Sequence, residues 1–375
     1  MDKFLSYARA QHREVIGLIR RLVECESPSG DTAALTRMAD LLVEESTDIA
    51  KIRRLRGGHL LMDFALPGAR KKGRILGLGH FDTVWPIGAL RRMPFRQRQG
   101  RLWGPGVLDM KSGVAFFLSA MRALRELDVP VARRVSLLLV NDEETGSASS
   151  RPVTEREAAR SDAVLVLECA TGLDGKLKTA RKGVGHYRVT VHGVAAHSGI
   201  DFTAGANAVV ELARQVEKMA GFTDLRKGVT VNPGVITGGT RVNVIAEQAT
   251  VEADLRIGRL RDAPRLDQKF RSLKPFDKRC RVEVSGGLNR PPMERTAGVA
   301  RLFKTARKLA AELGVNLEES ATGGASDGNF TGALGIPTLD GLGGVGEGAH
   351  ASHESILVNR IDDRIALIAK LAAAL

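Results

Sequence analysis

Three short, mainly apolar runs, each leading to an imidazole or a carboxylate, constrain this chain more than any other feature. Arg74-Ile75-Leu76-Gly77-Leu78 leads into Gly79-His80-Phe81-Asp82. Arg134-Val135-Ser136-Leu137-Leu138-Leu139-Val140 ends in Asn141-Asp142-Glu143-Glu144, and Ala163-Val164-Leu165-Val166-Leu167 ends in Glu168. Runs of this length without polar alternation suit strands buried on both faces, as in a parallel sheet covered by helices. Helix-period stretches lie between them, one from about Ser112 to Leu127 and another near 150–160. Strands alternating with helices indicate an α/β layer with a largely parallel sheet. In such open sheets ligands sit beyond the carboxyl ends of the strands, so these polar residues can converge on one crevice.

The rest of the chain fits around that layer. Residues 4–24 carry a helix-period apolar stripe that stops at Ser27-Pro28-Ser29-Gly30, and Asp31 can cap a second helix reaching about Glu45. Alternating stretches at 50–56 and 59–65 read as strands. Around residue 182 the texture changes: residues 184–192 and 248–257 alternate, as strands with one wet face do. Helix-period segments lie at about 204–220 and 262–273, with a short strand at 280–284. Strand, helix, strand, strand, helix, strand is the order of a ferredoxin-like unit. From Thr296 the α/β texture returns. The expected organisation is therefore a larger α/β domain of residues 1–182 and 292–375, interrupted by a smaller inserted α+β domain of residues 183–291.

A chain of 375 residues suggests two domains, and 43% hydrophobic with 26% charged residues describes a soluble protein with a sizeable core. The longest apolar runs are too short to span a bilayer, and the N-terminus lacks the apolar core of a signal peptide. Cys25, Cys169 and Cys280 are few and scattered, against a disulfide framework, so the cytoplasm is the expected address. The net charge of +13 admits three readings: a solvated Arg-rich surface, nucleic-acid binding, or attraction of an acidic small substrate. Basic residues are spread along the chain and aromatics total only 4%, against the clustered stripes of a nucleic-acid binder.

His80 and Asp82 leave a strand end two residues apart, and imidazole with carboxylate is a common transition-metal ligand set. Asp109 follows the turn Gly104-Pro105-Gly106, and Ser112 is placed to cap the helix beginning there. Near the end, Gly346-Glu347-Gly348-Ala349-His350-Ala351-Ser352-His353 is a Gly-rich loop carrying two more imidazoles.

In combination these pieces resemble the M20 zinc metallopeptidases, and within them the glutamate carboxypeptidase (carboxypeptidase G2-like) group. The resemblance covers nearly the whole chain. His-x-Asp-Thr-Val matches 80–84, Gly-Pro-Gly-x-x-Asp-x-Lys-x-Gly matches 104–113, and Asp-Glu-Glu-x-Gly-Ser matches 142–147. His197-Ser198-Gly199 matches the family's lid histidine, Thr-Gly-Gly-x-Ser-Asp matches 322–327, and Gly-Ala-His-x-x-x-Glu matches 348–354.

The resemblance implies two zinc ions per subunit, with cobalt or manganese as substitutes, bridged by Asp109. His80 and Glu168 would complete one site, Glu144 and His350 the other. Glu143 would be the general base, with Asp82 orienting His80. It further implies that the Asp109–Met110 peptide is cis, and that His197 reaches across a lid-domain homodimer to the oxyanion. Arg256 would bind the substrate's carboxylate, supported by Asn243, with Gly323 and Gly324 lining the substrate. The sequence departs from the family in two places. Cys169 stands where proline is common after Glu168, which leaves a packed thiol, an extra ligand or a redox switch open. Asn243-Val244-Ile245-Ala246 lacks the family's proline, which puts the rigid turn there in question. His353 also competes with His350, which is preferred because Glu354 then falls where the family has a glutamate. The implied activity is a carboxypeptidase acting on small substrates and releasing a C-terminal amino acid such as glutamate. The alternative is an N-acyl-amino-acid deacylase of the acetylornithine or succinyl-diaminopimelate type. Neither reading involves nucleic acid or a membrane.

Overall fold

The apolar runs are neighbouring strands of one six-stranded sheet, in the order 50–54, 60–64, 134–140, 74–80, 163–166, 338–339. This computed structural model describes residues 2–68 and 72–375. The last four strands of that order run parallel, and the 50–64 hairpin adds an antiparallel edge. The fold is thus α/β with a largely parallel sheet, as the sequence predicts. Continuous apolarity has the expected cause, because successive side chains enter two different cores. Val135, Leu137 and Leu139 face the larger core with Phe116, Phe117 and Leu367. Leu138 and Val140 face the smaller one with Val153 and Ala158.

Two compact units divide the chain: residues up to Ala180 with Arg295–Thr322 and Ser326–Leu375, and Arg181–Glu294 with Gly323–Ala325. The first holds the parallel sheet. Its helix Ser112–Glu126 lies close beneath the strands because Gly77 has no side chain there. A Cβ at Gly77 would stand 2.7 Å from the Phe117 ring and 3.0 Å from Leu137, so alanine at this position would push helix and sheet apart.

The second unit is a four-stranded antiparallel sheet, ordered 230–238, 248–257, 183–192, 281–290, with helices Ala208–Ala220 and Ala263–Arg271. Strand Gln248–Ile257 alternates buried and half-buried residues, matching its one-sided sequence pattern. Tyr187 stacks on Phe270 at 3.9 Å between ring centroids in the core of this unit. Strand order and chain order together are ferredoxin-like.

Local readings differ in several places. The short strand expected at 280–284 runs over Arg281–Arg290, because it pairs along nearly the whole of strand 183–192. The 4–24 stripe forms two helices, Lys3–Ala10 and His12–Glu24, because Gln11 (ψ 8°) leaves helical geometry. Ser112 does not cap its helix: the chain enters through an irregular turn at Val107–Lys111, and the buried Ser112 hydroxyl has no hydrogen-bond partner among the described residues. Asp31 does cap Thr32–Glu44, accepting from the Ala34 N–H at 3.0 Å. Among the described residues no helix is long and apolar enough to cross a membrane.

Candidate metal centre

Parallel pairing brings the chemistry-bearing strand ends to one edge of the sheet. His80 stands beside Val140 in register, and Leu78 beside Val166 on the other side, so His80, the 141–144 segment and Glu168 leave the sheet together. The next element, Glu143–Thr145, is a single turn closed by Gly146 in left-handed geometry (φ 97°). Asp109 arrives from the irregular turn before Ser112–Glu126, and the Asp109–Met110 peptide is cis, as the resemblance implies. Met110 tucks under the sheet where Gly79 leaves room, its Sδ 3.3 Å from the His80 amide.

Two groups of donors result, and they share Asp109. His80, Asp109 and Glu168 form one; Asp109, Glu144 and His350 form the other, with the ligand atoms of each group within 4.8 Å of one another. His80 Nε2 lies 3.2 Å from Asp109 Oδ1 and 3.7 Å from Glu168 Oε1. His350 Nε2 lies 3.2 Å from both Asp109 Oδ2 and Glu144 Oε1. His353 is exposed and belongs to neither group. Cys169 packs against the larger core, beside Lys178 at 3.8 Å, and also stands outside both.

The electrostatics of these groups describe carboxylates that hold positive charge between them. Burial opposes the His80 imidazolium, but the Asp109 and Asp82 carboxylates outweigh it and raise its pKa well above the usual value. The hydrogen bond to Asp109, helped by the charge of Glu144, raises His350 to about 9. Burial pushes Glu144 up, with the nearby Asp109 charge adding to it. Three carboxylates and two imidazoles this close are costly unless positive charge lies between them. Nitrogen and oxygen donors in sets of three, with one carboxylate common to both, suit a pair of divalent metal ions.

Asp82 plays a wider part than its position beside His80 suggests. His80 Nδ1 lies 2.9 Å from the Asp82 carbonyl and 3.4 Å from its carboxylate, which turns Nε2 toward Asp109. The fully buried Asp82 carboxylate accepts the Glu143 and Glu144 amides at 3.3 and 3.2 Å and the Ser29 hydroxyl at 2.7 Å. One residue therefore holds both the imidazole, mainly through its carbonyl, and the turn bearing the glutamate pair, through its carboxylate. Ser29 was legible in the sequence only as part of a helix stop. It pairs with the 81–83 segment through Thr83, a contact that no local pattern announces.

The remaining site candidates belong to the second unit. His197 and Asn243, distant in sequence, meet because the 196–198 turn pairs with 243–245. The Gly199 amide donates to His197 Nδ1 at 3.1 Å, so Nε2 carries the proton on this exposed ring. Arg256 Nε donates to Asp254 at 2.8 Å and Nη1 to the Gly323 carbonyl at 3.2 Å. Its Nη2 makes no hydrogen bond among the described residues. Gly324 is held nearby through its carbonyl by Arg181.

Residues 77–374 match the family model for peptidase family M20/M25/M40. Carboxypeptidase G2 of a Pseudomonas strain is 29% identical over 95% of this chain and 88% of its own length. A succinyl-diaminopimelate desuccinylase of Cereibacter sphaeroides is also 29% identical, over 92% of this chain and 95% of its own. Among solved structures, aminopeptidase PepT of Bacillus cereus superposes with a TM-score of 0.80 at 21% identity, covering 97% and 99% of the two chains. An M20 family metallo-carboxypeptidase of Sulfolobus solfataricus gives 0.72 at 16% identity, covering 96% and 100%. With the family model spanning most of its length and two donor triads at the sheet edge, this chain is an enzyme of peptidase family M20/M25/M40, a metallohydrolase of the peptidase and amidohydrolase kind.

Proposed function

We propose that this enzyme is a two-zinc hydrolase that cuts an amide next to a terminal carboxylate, most simply as a carboxypeptidase releasing glutamate or a similar amino acid. The observation that carries the reading is the pair of donor triads sharing Asp109, with Glu143 next to Glu144 on one turn. His80 and Glu168 would hold one ion, Glu144 and His350 the other, and Asp109 both. When bound, two adjacent cations polarise the scissile carbonyl and lower the pKa of an attacking water. Glu143 takes that water's proton and hands it to the leaving amine. Asp82 keeps the Glu143–Glu144 turn and the His80 ring in register. Arg256 pairs with the substrate's carboxylate, beside Gly323 and Gly324, with Asn243 in support. The basic charge of +13 also favours dianionic substrates such as acyl-glutamates. The desuccinylase relative supports a second reading, a deacylase that selects the acyl group rather than the released amino acid.

Purified protein should carry about two zinc equivalents, and a chelator should abolish hydrolysis of N-acyl amino acids or dipeptides with a free carboxylate. Elemental analysis beside a substrate panel checks this. Full activity of folded, metal-free protein would end the reading.

The second unit, Arg181–Glu294 with Gly323–Ala325, is proposed as the lid and dimerisation domain. Its edge strand exposes Val235 and Ile236, each at 57%, and its first helix exposes Val209 and Val210. An unpaired edge beside an apolar helix face can pair with the same face of a second copy about a two-fold axis. The Nε2 proton of His197 is then a donor supplied across the interface to the developing oxyanion. Mixing inactive His197→Ala and Glu143→Ala proteins, with subunit exchange, should restore about a quarter of wild-type activity by random pairing in a two-fold dimer. No restoration in dimers proven to have exchanged, or a fully active monomer, would rule out action across the interface.

A further inference from the structure

Glu354 was legible in the sequence only as the last residue of a motif, four positions after His350. In the fold it is 1% exposed and uses both carboxylate oxygens twice. Oε1 accepts the backbone N–H of Leu108 at 2.8 Å and of Asp109 at 3.1 Å. Oε2 accepts the backbone N–H of Gly106 and the indole N–H of Trp85, both at 2.8 Å. Four donors on two oxygens is a saturated set, and each bond is strengthened by the charge.

These donors come from separate segments of the metal centre. Gly106, Leu108 and Asp109 form the turn that aims the shared carboxylate. Trp85 lies on the loop that follows His80 and Asp82. Glu354 itself continues the loop bearing His350 and is fixed at its own backbone. Its amide donates to Ala351 at 2.9 Å, its carbonyl accepts from Gly104 at 3.4 Å, and the next residue, Ser355, pairs with Trp103. We propose that Glu354 is the positioning residue of this centre: it sets the Gly106–Asp109 backbone, hence the direction of the Asp109 carboxylate, and locks that turn to the His80 and His350 segments. The inference rests on the ligand assignment proposed above and adds a residue that touches neither metal nor substrate.

The chemistry demands a carboxylate. In Glu354→Gln the amide NH2 replaces one oxygen and meets two N–H donors whichever way it flips, so two donors lose their acceptor. Glu354→Asp is one methylene too short to reach both sides from a backbone already fixed. Metal-free stability should change little, because removing a buried charge offsets the lost hydrogen bonds.

The test is metal affinity, measured by competition with a chromophoric chelator, with the visible spectrum of the cobalt-loaded protein as a report on ligand geometry. Glu354→Gln should bind zinc roughly 10- to 100-fold more weakly, the usual range for residues that orient ligands, and should shift the cobalt bands. Its metal-free melting temperature should stay close to wild type. Unchanged affinity and spectrum would overturn the proposal. So would a loss of affinity accompanied by a matching fall in metal-free stability, which would make Glu354 a general structural residue. If Glu354→Gln fails to fold, Trp85→Phe removes one of the four donors, and an unchanged cobalt spectrum in that variant overturns the proposal as well. A wild-type protein that binds no metal would instead sink the ligand assignment itself, and this inference with it.

Discussion

Replacing Glu143 with alanine should lower the turnover number by roughly two to four orders of magnitude, the usual share of general acid–base catalysis, while leaving the metal content intact. The expectation follows from how the turn is held. The Glu143 and Glu144 amides both donate to Asp82, so removing one side chain leaves the turn's anchor untouched. Glu144 reaches into a donor triad, 3.2 Å from His350, whereas Glu143 belongs to neither triad. Glu144→Ala should therefore lose a metal equivalent. Steady-state turnover beside elemental analysis of both variants distinguishes the roles. Swapped phenotypes would exchange the assignments, and normal turnover in Glu143→Ala would remove it from the proton transfer.

Arg256→Ala should lower kcat/KM for a substrate with a free carboxylate by about 2–5 kcal/mol, as for truncation of one partner in other desolvated charge pairs. That corresponds to roughly thirty- to several-thousand-fold. The guanidinium is already oriented, with Nε on Asp254 and Nη1 on the Gly323 carbonyl, so a carboxylate arriving at Nη2 meets a fork that need not reorganise. Removing the arginine also leaves the Asp254 charge facing the incoming anion, which adds to the loss. Arg256→Lys keeps the charge and loses the planar fork, so it should fall between. Amidating the substrate's carboxylate should cost the wild type about as much as the mutation does, and cost the mutant little more. Equal cleavage of acid and amide by the wild type would give Arg256 another job and remove the carboxypeptidase reading.

Much of the fold was written locally. The runs 75–78, 137–140 and 163–167 are apolar without alternation because both faces of those strands are buried, and burial on both faces is what a parallel sheet under helices requires. Strand Gln248–Ile257 alternates because one of its faces is wetter, so the change of architecture near residue 182 was equally visible. Asp31 was readable as a cap because a cap acts within three residues. The residue types of the candidate metal centre stood out for the same reason, since each sits at the end of a locally recognisable strand or in a Gly-rich turn, while their division into two ligand sets was implied only by the family resemblance.

Tertiary structure alone decided what those residues touch. Strand order sets 74–80 between 134–140 and 163–166 and so gathers His80, Glu144 and Glu168 at one edge, a pairing fixed by packing over tens of residues. Gly77 admits Phe117 only because a helix from another part of the chain presses there. Asp82, beside His80 in the sequence, also holds a turn 61 and 62 residues away, and Glu354 holds one 245 to 248 residues away. Ser112 stood where a cap belongs, but the chain enters its helix through the turn that delivers Asp109, and the hydroxyl is buried instead. Periodicity reports which face of a segment is dry. It carries no record of which distant donor will need a given carboxylate, because that depends on where independently formed segments come to rest against one another.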